Sequence, residues 1–242
     1  SDLTPIARPS RYGTAAYWDG KIYQLGGNHP SAQAYLDIYD VATDTWSTGA
    51  DMLTARYYLD CAAIDGKIYC AGGYPTTGNT ELQIYDIATD TWSTGAPLPA
   101  GRYAYTAVAM DGKYYVIGGY TTVYEASVLA YDPVTDTWDE TLPDMSVARR
   151  DALSGVIGGK IYVISGRSSS SGYLDTADDL VTLRDMVRWG ASEFGRHGLV
   201  FGHGTDNALD EALQLVLHAC HLDYSLPAEY LDCRLTKPEK AR

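Results

Sequence analysis

The 242-residue sequence predicts a mainly β fold, a stack of small four-stranded sheets, followed by a small all-α domain. Three observations carry that reading. A segment ending in paired glycines recurs with a period of 46 residues. The stretches around it are short, rich in Tyr, Val, Ile and Thr, and bounded by Gly, Pro, Asp and Asn, as strands are. Beyond about residue 172 the apolar residues fall at helical spacing instead.

Each unit opens on an arginine. Arg56, Arg102 and Arg149 stand nine residues before a turn, and Arg11 stands eight before. The turns are Asp19-Gly20, Asp65-Gly66, Asp111-Gly112 and Gly158-Gly159, pairs that suit two-residue hairpins. The strand after each turn runs to Gly26-Gly27, Gly72-Gly73, Gly118-Gly119 or the weaker Ser165-Gly166. Paired glycines suit a crowded spot or a positive φ. A variable polar loop follows, then an apolar stretch closing in Tyr39-Asp40, Tyr85-Asp86 or Tyr131-Asp132. A Thr-Asp-Thr-Trp turn ends the unit and places Trp46, Trp92 and Trp138 as large apolar plugs.

The strand Lys67–Ala71 is apolar on both faces, with Ile68 and Cys70 on one and Tyr69 and Ala71 on the other. Such a strand has to be covered on both sides, which a stack of sheets does. Counting outward from Asp65-Gly66 sets Cys61 opposite Cys70 on a non-hydrogen-bonded rung, where Cα atoms come within about 4.5 Å. That reach is compatible with a disulfide, and equally with two small buried hydrophobes in a reducing cell.

With these motifs in register three times, the segment 1–166 resembles kelch repeats. The family's Gly-Gly, Tyr-Asp and Trp positions match at the residues just named. The resemblance implies blades of a β-propeller at about 8–50, 54–96 and 100–142, with a partial blade at 147–166. The expected fold class is therefore an incomplete kelch β-propeller of about three and a half four-stranded blades followed by a small all-α domain. So few blades would leave open sheet edges, and a homo-oligomer through those edges is one expectation. A serine-rich linker, 167–175, is expected to end the blades.

Over 176–242 a helix is predicted from Thr176, with Asp179 completing a capping box and Leu180, Leu183 and Val187 on one face. A second helix carries Leu209, Leu213, Val216, Leu217 and Cys220. The runs Arg184-Asp185-Met186-Val187-Arg188-Trp189, Phe201-Gly202-His203-Gly204-Thr205-Asp206-Asn207 and Arg234-Leu235-Thr236 resemble the N-terminal helical domain of the bacterial methyltransferase that modifies a glutamine of a large-subunit ribosomal protein. The resemblance implies a substrate-docking module, a ribosomal-protein partner and a cytoplasmic location. It implies S-adenosylmethionine only if a catalytic domain follows, since the family's Asn-Pro-Pro-Tyr motif occurs nowhere. Thr236-Lys237-Pro238-Glu239 reads as a helix start three residues from the end, which suggests truncation. The absence of an initiator Met implies a cut or processed start. An extracytoplasmic location is the alternative for the kelch part.

Charge narrows the partners. The formal net charge is −13, and both 1–172, with 11 cationic against 19 anionic residues, and 173–242, with 7 against 12, are acidic. Phosphate backbones would be repelled, so direct nucleic-acid binding is not expected. No run of 18 apolar residues suggests a membrane span. Gly202-His203-Gly204 lacks the βαβ context of a dinucleotide fingerprint and reads as a capping loop. His218 and His221 share a helix face without the further ligands a metal needs.

No catalytic, cofactor-binding or metal residues are assigned. The loops after each Gly-Gly vary most, and loops on a repeated scaffold carry binding. Tyr74, Tyr120 and Tyr124 are the candidate contacts there, with His203, Thr205, Asp206 and Asn207 in the tail. The expected function is a non-catalytic binding or scaffold protein, its blades taking a protein or glycan. The alternatives are a methyltransferase fragment without its catalytic domain, or a composite of two unrelated fragments.

Overall fold

The structure, a computed structural model, describes residues 3–76, 78–169 and 172–180. The first sheet holds β1 (Thr14–Trp18), β2 (Lys21–Leu25), β3 (Leu36–Asp40) and β4 (Thr45–Thr48). The second holds β5 (Cys61–Ile64), β6 (Lys67–Ala71), β7 (Leu82–Asp86) and β8 (Thr91–Gly95). The third holds β9 (Thr106–Met110), β10 (Lys113–Ile117), β11 (Val128–Asp132) and β12 (Thr137–Asp139). The fourth has three strands, β13 (Leu153–Ile157), β14 (Lys160–Ile164) and β15 (Ala177–Leu180), in that order. Each of the first three sheets is an antiparallel meander in chain order. By internal contacts the chain divides into two units, Ser1–Gly155 with Val163–Asp178 and Val156–Tyr162 with Asp179–Arg242. The first contains the three complete sheets and half of the strand residues of the fourth.

The hairpins follow from their turns. Ile64 pairs with Lys67, so Asp65 and Gly66 form the two-residue loop, with φ of 48° and 76°. Positive φ at both positions is what a type I′ turn requires, and its twist matches the strands it joins. The register places Cys61 opposite Cys70 with Cα atoms 4.6 Å apart, and their sulfurs are bonded.

The apolar core lies between sheets. One face of the first blade and one of the second, here called trailing, packs on the leading face of the blade after it. Tyr23, Leu25 and Leu36 meet Ile68, Cys70 and Tyr85 in one cluster, and Tyr69, Ala71 and Leu82 meet Tyr114, Val116 and Tyr131 in the other. The strand β6 thus serves both clusters through alternate side chains, the two-sided burial its composition demands.

Polar interlocks hold the stack. Tyr39, Tyr85 and Tyr131 donate their hydroxyls to Asp44, Asp90 and Asp136 at 2.7, 2.7 and 2.6 Å. The Trp46, Trp92 and Trp138 indoles donate to the carbonyls of Thr4, Ala50 and Ala96 at 2.8 Å. Those linker residues return their own N–H to the same aspartates. The tryptophan is therefore a tether for the chain entering its blade as well as a plug, and the hydrogen bonds from the linker and the tyrosine hold all three carboxyls below their ordinary pKa.

Two expectations of fold class are corrected. The fourth blade does not stop at its first half, and where a helix from Thr176 was expected the strand β15 (Ala177–Leu180) follows. Among the described residues there is no helix. They form a four-bladed β-propeller, in place of three and a half blades followed by an all-α domain. Arg149 supplies the reason. Its side chain is 0% exposed, and a buried guanidinium requires acceptors for its N–H groups, best of all a carboxylate. Asp178, 4% exposed, accepts from Arg149 at 2.7 Å, and the Thr176 carbonyl accepts at 3.2 Å. Glu81 pairs with Arg56 in the second blade in the same way. Thr176, read from sequence with Asp179 as a helix cap, and Asp178 form the fourth copy of this acceptor segment. The helical positions predicted beyond Leu180 lie outside the described residues.

The paired glycines have a specific cause. Gly72 has φ +57°, and a Cβ on it would lie 2.3 Å from the Arg102 carbonyl oxygen. Gly66 has φ +76° and nothing within 4 Å of that position. Gly72→Ala should therefore lower unfolding stability by on the order of 2–4 kcal/mol, and Gly66→Ala by about 1 kcal/mol, in denaturant titrations. Asp178→Ala strands a buried cation and should cost about 3–5 kcal/mol by the same measurement. An effect below about 1 kcal/mol would remove β15 from the blade.

Candidate functional site

The second glycine of each pair leads into the candidate site. Its neighbour pairs with the residue after the repeat arginine, and the two exchange both backbone hydrogen bonds. Tyr57 and Tyr74 do so at 2.8 and 2.7 Å, Tyr103 and Tyr120 at 3.1 and 2.9 Å, and Arg150 and Arg167 at 3.0 and 2.9 Å. Arg11 and Asn28 form the corresponding rung of the first blade. A residue held by two backbone bonds projects its side chain from a fixed base, so these positions are less adaptable than loop tips.

The next residue along, at the start of each innermost strand, closes a second series. Tyr58 N–H donates to Tyr12 O, Ala104 N–H to Tyr58 O and Asp151 N–H to Ala104 O, at 2.8, 2.7 and 2.8 Å. All four have positive φ, between 54° and 62°.

The side chains form a continuous aromatic path. Tyr57 to Tyr74, Tyr74 to Tyr103, Tyr103 to Tyr120 and Tyr120 to Tyr124 have ring centroids 5.2, 5.3, 5.6 and 5.3 Å apart. These are edge-to-face or tilted contacts of favourable quadrupole geometry. The Arg150 guanidinium sits 5.2 Å from the Tyr120 ring and 5.5 Å from that of Tyr124, and Arg167 sits 5.4 Å from Tyr173. Tyr103, Tyr120, Tyr124, Arg150 and Arg167 wall a depression of about 610 Å³, whose further edge is Ser168 and Ser169. A smaller one of about 240 Å³ adjoins it beside Tyr58 and Asp151.

Burial raises the Tyr103 phenol, and burial with the hydrogen bond to Tyr12 pushes Tyr58 up to about 12, so both remain neutral donors at physiological pH. Arg150 Nε lies 3.4 Å from Asp151, a pair that leaves the face of the guanidinium on the rings. The site therefore offers stacked aromatic surface, phenolic donors and two cations, in a chain whose formal charge is −13. Among the described residues no three His, Cys, Asp or Glu side chains converge to hold a metal.

Of the sequence candidates, Tyr74, Tyr120 and Tyr124 come together on this path. His203, Thr205, Asp206 and Asn207 lie outside the described residues. Sequence reasoning passed over Tyr57, Tyr103, Arg150 and Arg167. A signal was present: positions 11, 57, 103 and 150 read Arg, Tyr, Tyr, Arg, and positions 28, 74, 120 and 167 read Asn, Tyr, Tyr, Arg. Variation beside unvarying framework residues marked them.

Comparison with known proteins divides the chain. Residues 3–166 match the family model described as the KLHDC2/KLHL20/DRC7 Kelch-repeats domain. A solved structure described as that of YjhT superposes with a TM-score of 0.64 over 74% of this chain and 67% of that one, at 19% identity, a likeness of fold. A 66-residue stretch is 53% identical to the ribosomal protein uL3 glutamine methyltransferase of Xanthomonas campestris pv. campestris, covering 27% of this chain and 21% of that protein. The enzyme of the same name from Xylella fastidiosa strain Temecula1 is 56% identical over 64 residues, 26% of this chain and 20% of that protein. The chain thus spans about a fifth of the length of these curated relatives.

Proposed function

The chain belongs to the Kelch-repeat family, and on that premise we propose that it is a non-catalytic binding module whose Tyr/Arg face takes a polypeptide segment bearing acidic side chains. One observation carries the reading. The repeats share their turns, glycine pairs and buried arginines in the second and third blades and differ at the rungs beside them, where Tyr and Arg gather around one depression. Tyr and Arg are the residues that most often dominate protein interfaces, since they offer large area, hydrogen bonds and charge at small entropic cost. Arg150 and Arg167 supply the preference for acidic groups, and the tyrosine path supplies apolar contact along an extended chain.

Selection of a phage-displayed random peptide library on the purified chain tests this. Enriched peptides should carry Asp or Glu beside aromatic or aliphatic residues. Arg150→Ala and Tyr103→Ala should each weaken them by about tenfold to a hundredfold in calorimetric titration. Binders indifferent to both substitutions would move the site elsewhere.

A second reading rests on the methyltransferase-like stretch. Its 53% identity over 66 residues supports docking to the protein those enzymes are named for, ribosomal protein uL3. Binding of the full chain to purified uL3, with no methyl transfer from labelled S-adenosylmethionine, is the expected result. Methyl transfer would make the chain an enzyme, and absence of binding would end this second reading.

A further inference from the structure

At the rung beside the glycine pair, successive blades carry Arg11 with Asn28, Tyr57 with Tyr74, Tyr103 with Tyr120, and Arg150 with Arg167. Among these described rungs, that of the fourth blade alone sets two cations opposite each other. Like charges directly across a strand pair are destabilising, and the backbone bonds of the rung would form equally well with tyrosines, as they do in the second and third blades. The scaffold gains nothing from the arginine pair.

Both guanidiniums are held in place. Arg167 lies between two backbone partners, Arg150 on one side and Tyr173 on the other. The loop that returns to Tyr173 is closed by Ser168 N–H donating to Gly172 O at 3.0 Å and Leu174 N–H donating to Gly166 O at 2.9 Å. Arg150 rests on the Tyr120 and Tyr124 rings, and Arg167 on Tyr173. Ring contacts engage the flat face of a guanidinium, whereas its N–H groups donate in its plane. Side chains so fixed lose little freedom when a ligand arrives.

The larger depression lies between the third and fourth blades, and its lining holds both arginines, three phenols and two serines but no carboxylate. Asp151, 3.4 Å from Arg150 Nε, lines the smaller depression beside it. A local pair of cations thus stands in a chain whose formal charge is −13.

We propose that this depression receives a phosphorylated side chain of the bound polypeptide, an inference that rests on the peptide-binding reading and names its acidic group. A carboxylate brings one charge and two acceptor oxygens. A phosphomonoester brings about −1.5 to −2 at pH 7 and three acceptor oxygens, enough for two guanidiniums and a serine hydroxyl. Guanidinium and phosphate pair through two parallel N–H···O bonds, which are roughly twice as strong as neutral ones. The tyrosine path from Tyr103 to Tyr57 takes the apolar residues beside the phosphate. An acidic chain repels a long run of phosphates, so one phosphorylated side chain suits the site where a nucleic acid does not.

Three degenerate peptide libraries, alike except for a fixed central phosphoserine, phosphotyrosine or glutamate, test this by retention on the immobilised full chain. At least one phosphorylated library should be retained about tenfold more than the glutamate library. Arg167→Ala and Ser169→Glu should each bring retention down to the glutamate level. Ser169 is exposed, so Ser169→Glu changes the charge of the depression without disturbing the core, and it decides the matter if Arg167→Ala misfolds. Inorganic phosphate should compete only at millimolar concentration, since it lacks the tyrosine contacts. Equal retention of all three libraries would overturn the phosphate site and leave the acidic-peptide reading standing, whereas retention of none would end both. A phosphate preference that survives either substitution in a folded variant, or competition by micromolar inorganic phosphate, would also overturn the proposal.

Discussion

The structure depends on the burial of one arginine in each of the second, third and fourth blades. Arg56, Arg102 and Arg149 each direct their guanidinium to the carbonyl before the second residue of the glycine pair in their own blade, at 2.8, 3.2 and 3.0 Å. Each also gives its main-chain carbonyl to the glycine N–H of the blade before. One residue therefore ties two sheets through both side chain and backbone. The first glycine has no side chain because the arginine carbonyl of the next blade occupies that space. A buried cation is tolerated only with a partner, so each arginine in turn fixes its acceptor segment: Glu81 for Arg56, Ser127 for Arg102, Asp178 for Arg149.

That constraint explains why the core belongs to pairs of sheets and to no single sheet. Both apolar clusters are shared between neighbours, and β6 contributes to each with alternate residues. Stability in such a stack is a sum of neighbour contacts. The same logic positions the binding face. The residues next to the arginine and to the glycine pair are held by two backbone bonds apiece, yet their side chains stay only half-buried. Framework and variable positions are adjacent in sequence, so one blade-to-blade junction both stabilises the stack and presents Tyr103 and Arg150.

Repetition made the fold legible. The Asp65-Gly66 turn, the pairing of Cys61 with Cys70 and the two-sided burial of Lys67–Ala71 all follow from local rules of hairpin geometry and alternation. Tyr74, Tyr120 and Tyr124 were visible as variable loop residues. Tyr103, Arg150 and Arg167 were harder to see, because two of them directly follow framework arginines and take on the appearance of scaffold. The misreading at Thr176 has a related origin. A Thr followed three residues later by Asp satisfies the local rule for a helix cap, and the competing demand came from Arg149, 27 residues away.

The sequence by itself determined the period, the turns, the strand faces and the residues that recur in each blade, because each rests on interactions within a few residues or on the same interaction repeated three times. Tertiary structure alone decided where the fourth blade ends and which side chains share a surface. A chain that loops out through Ser168 and returns at Thr176 is recruited by a buried charge, and a path from Tyr57 to Arg150 exists only once three blades are stacked in register. Both are contacts between distant segments, whose strength comes from burial that no local pattern records.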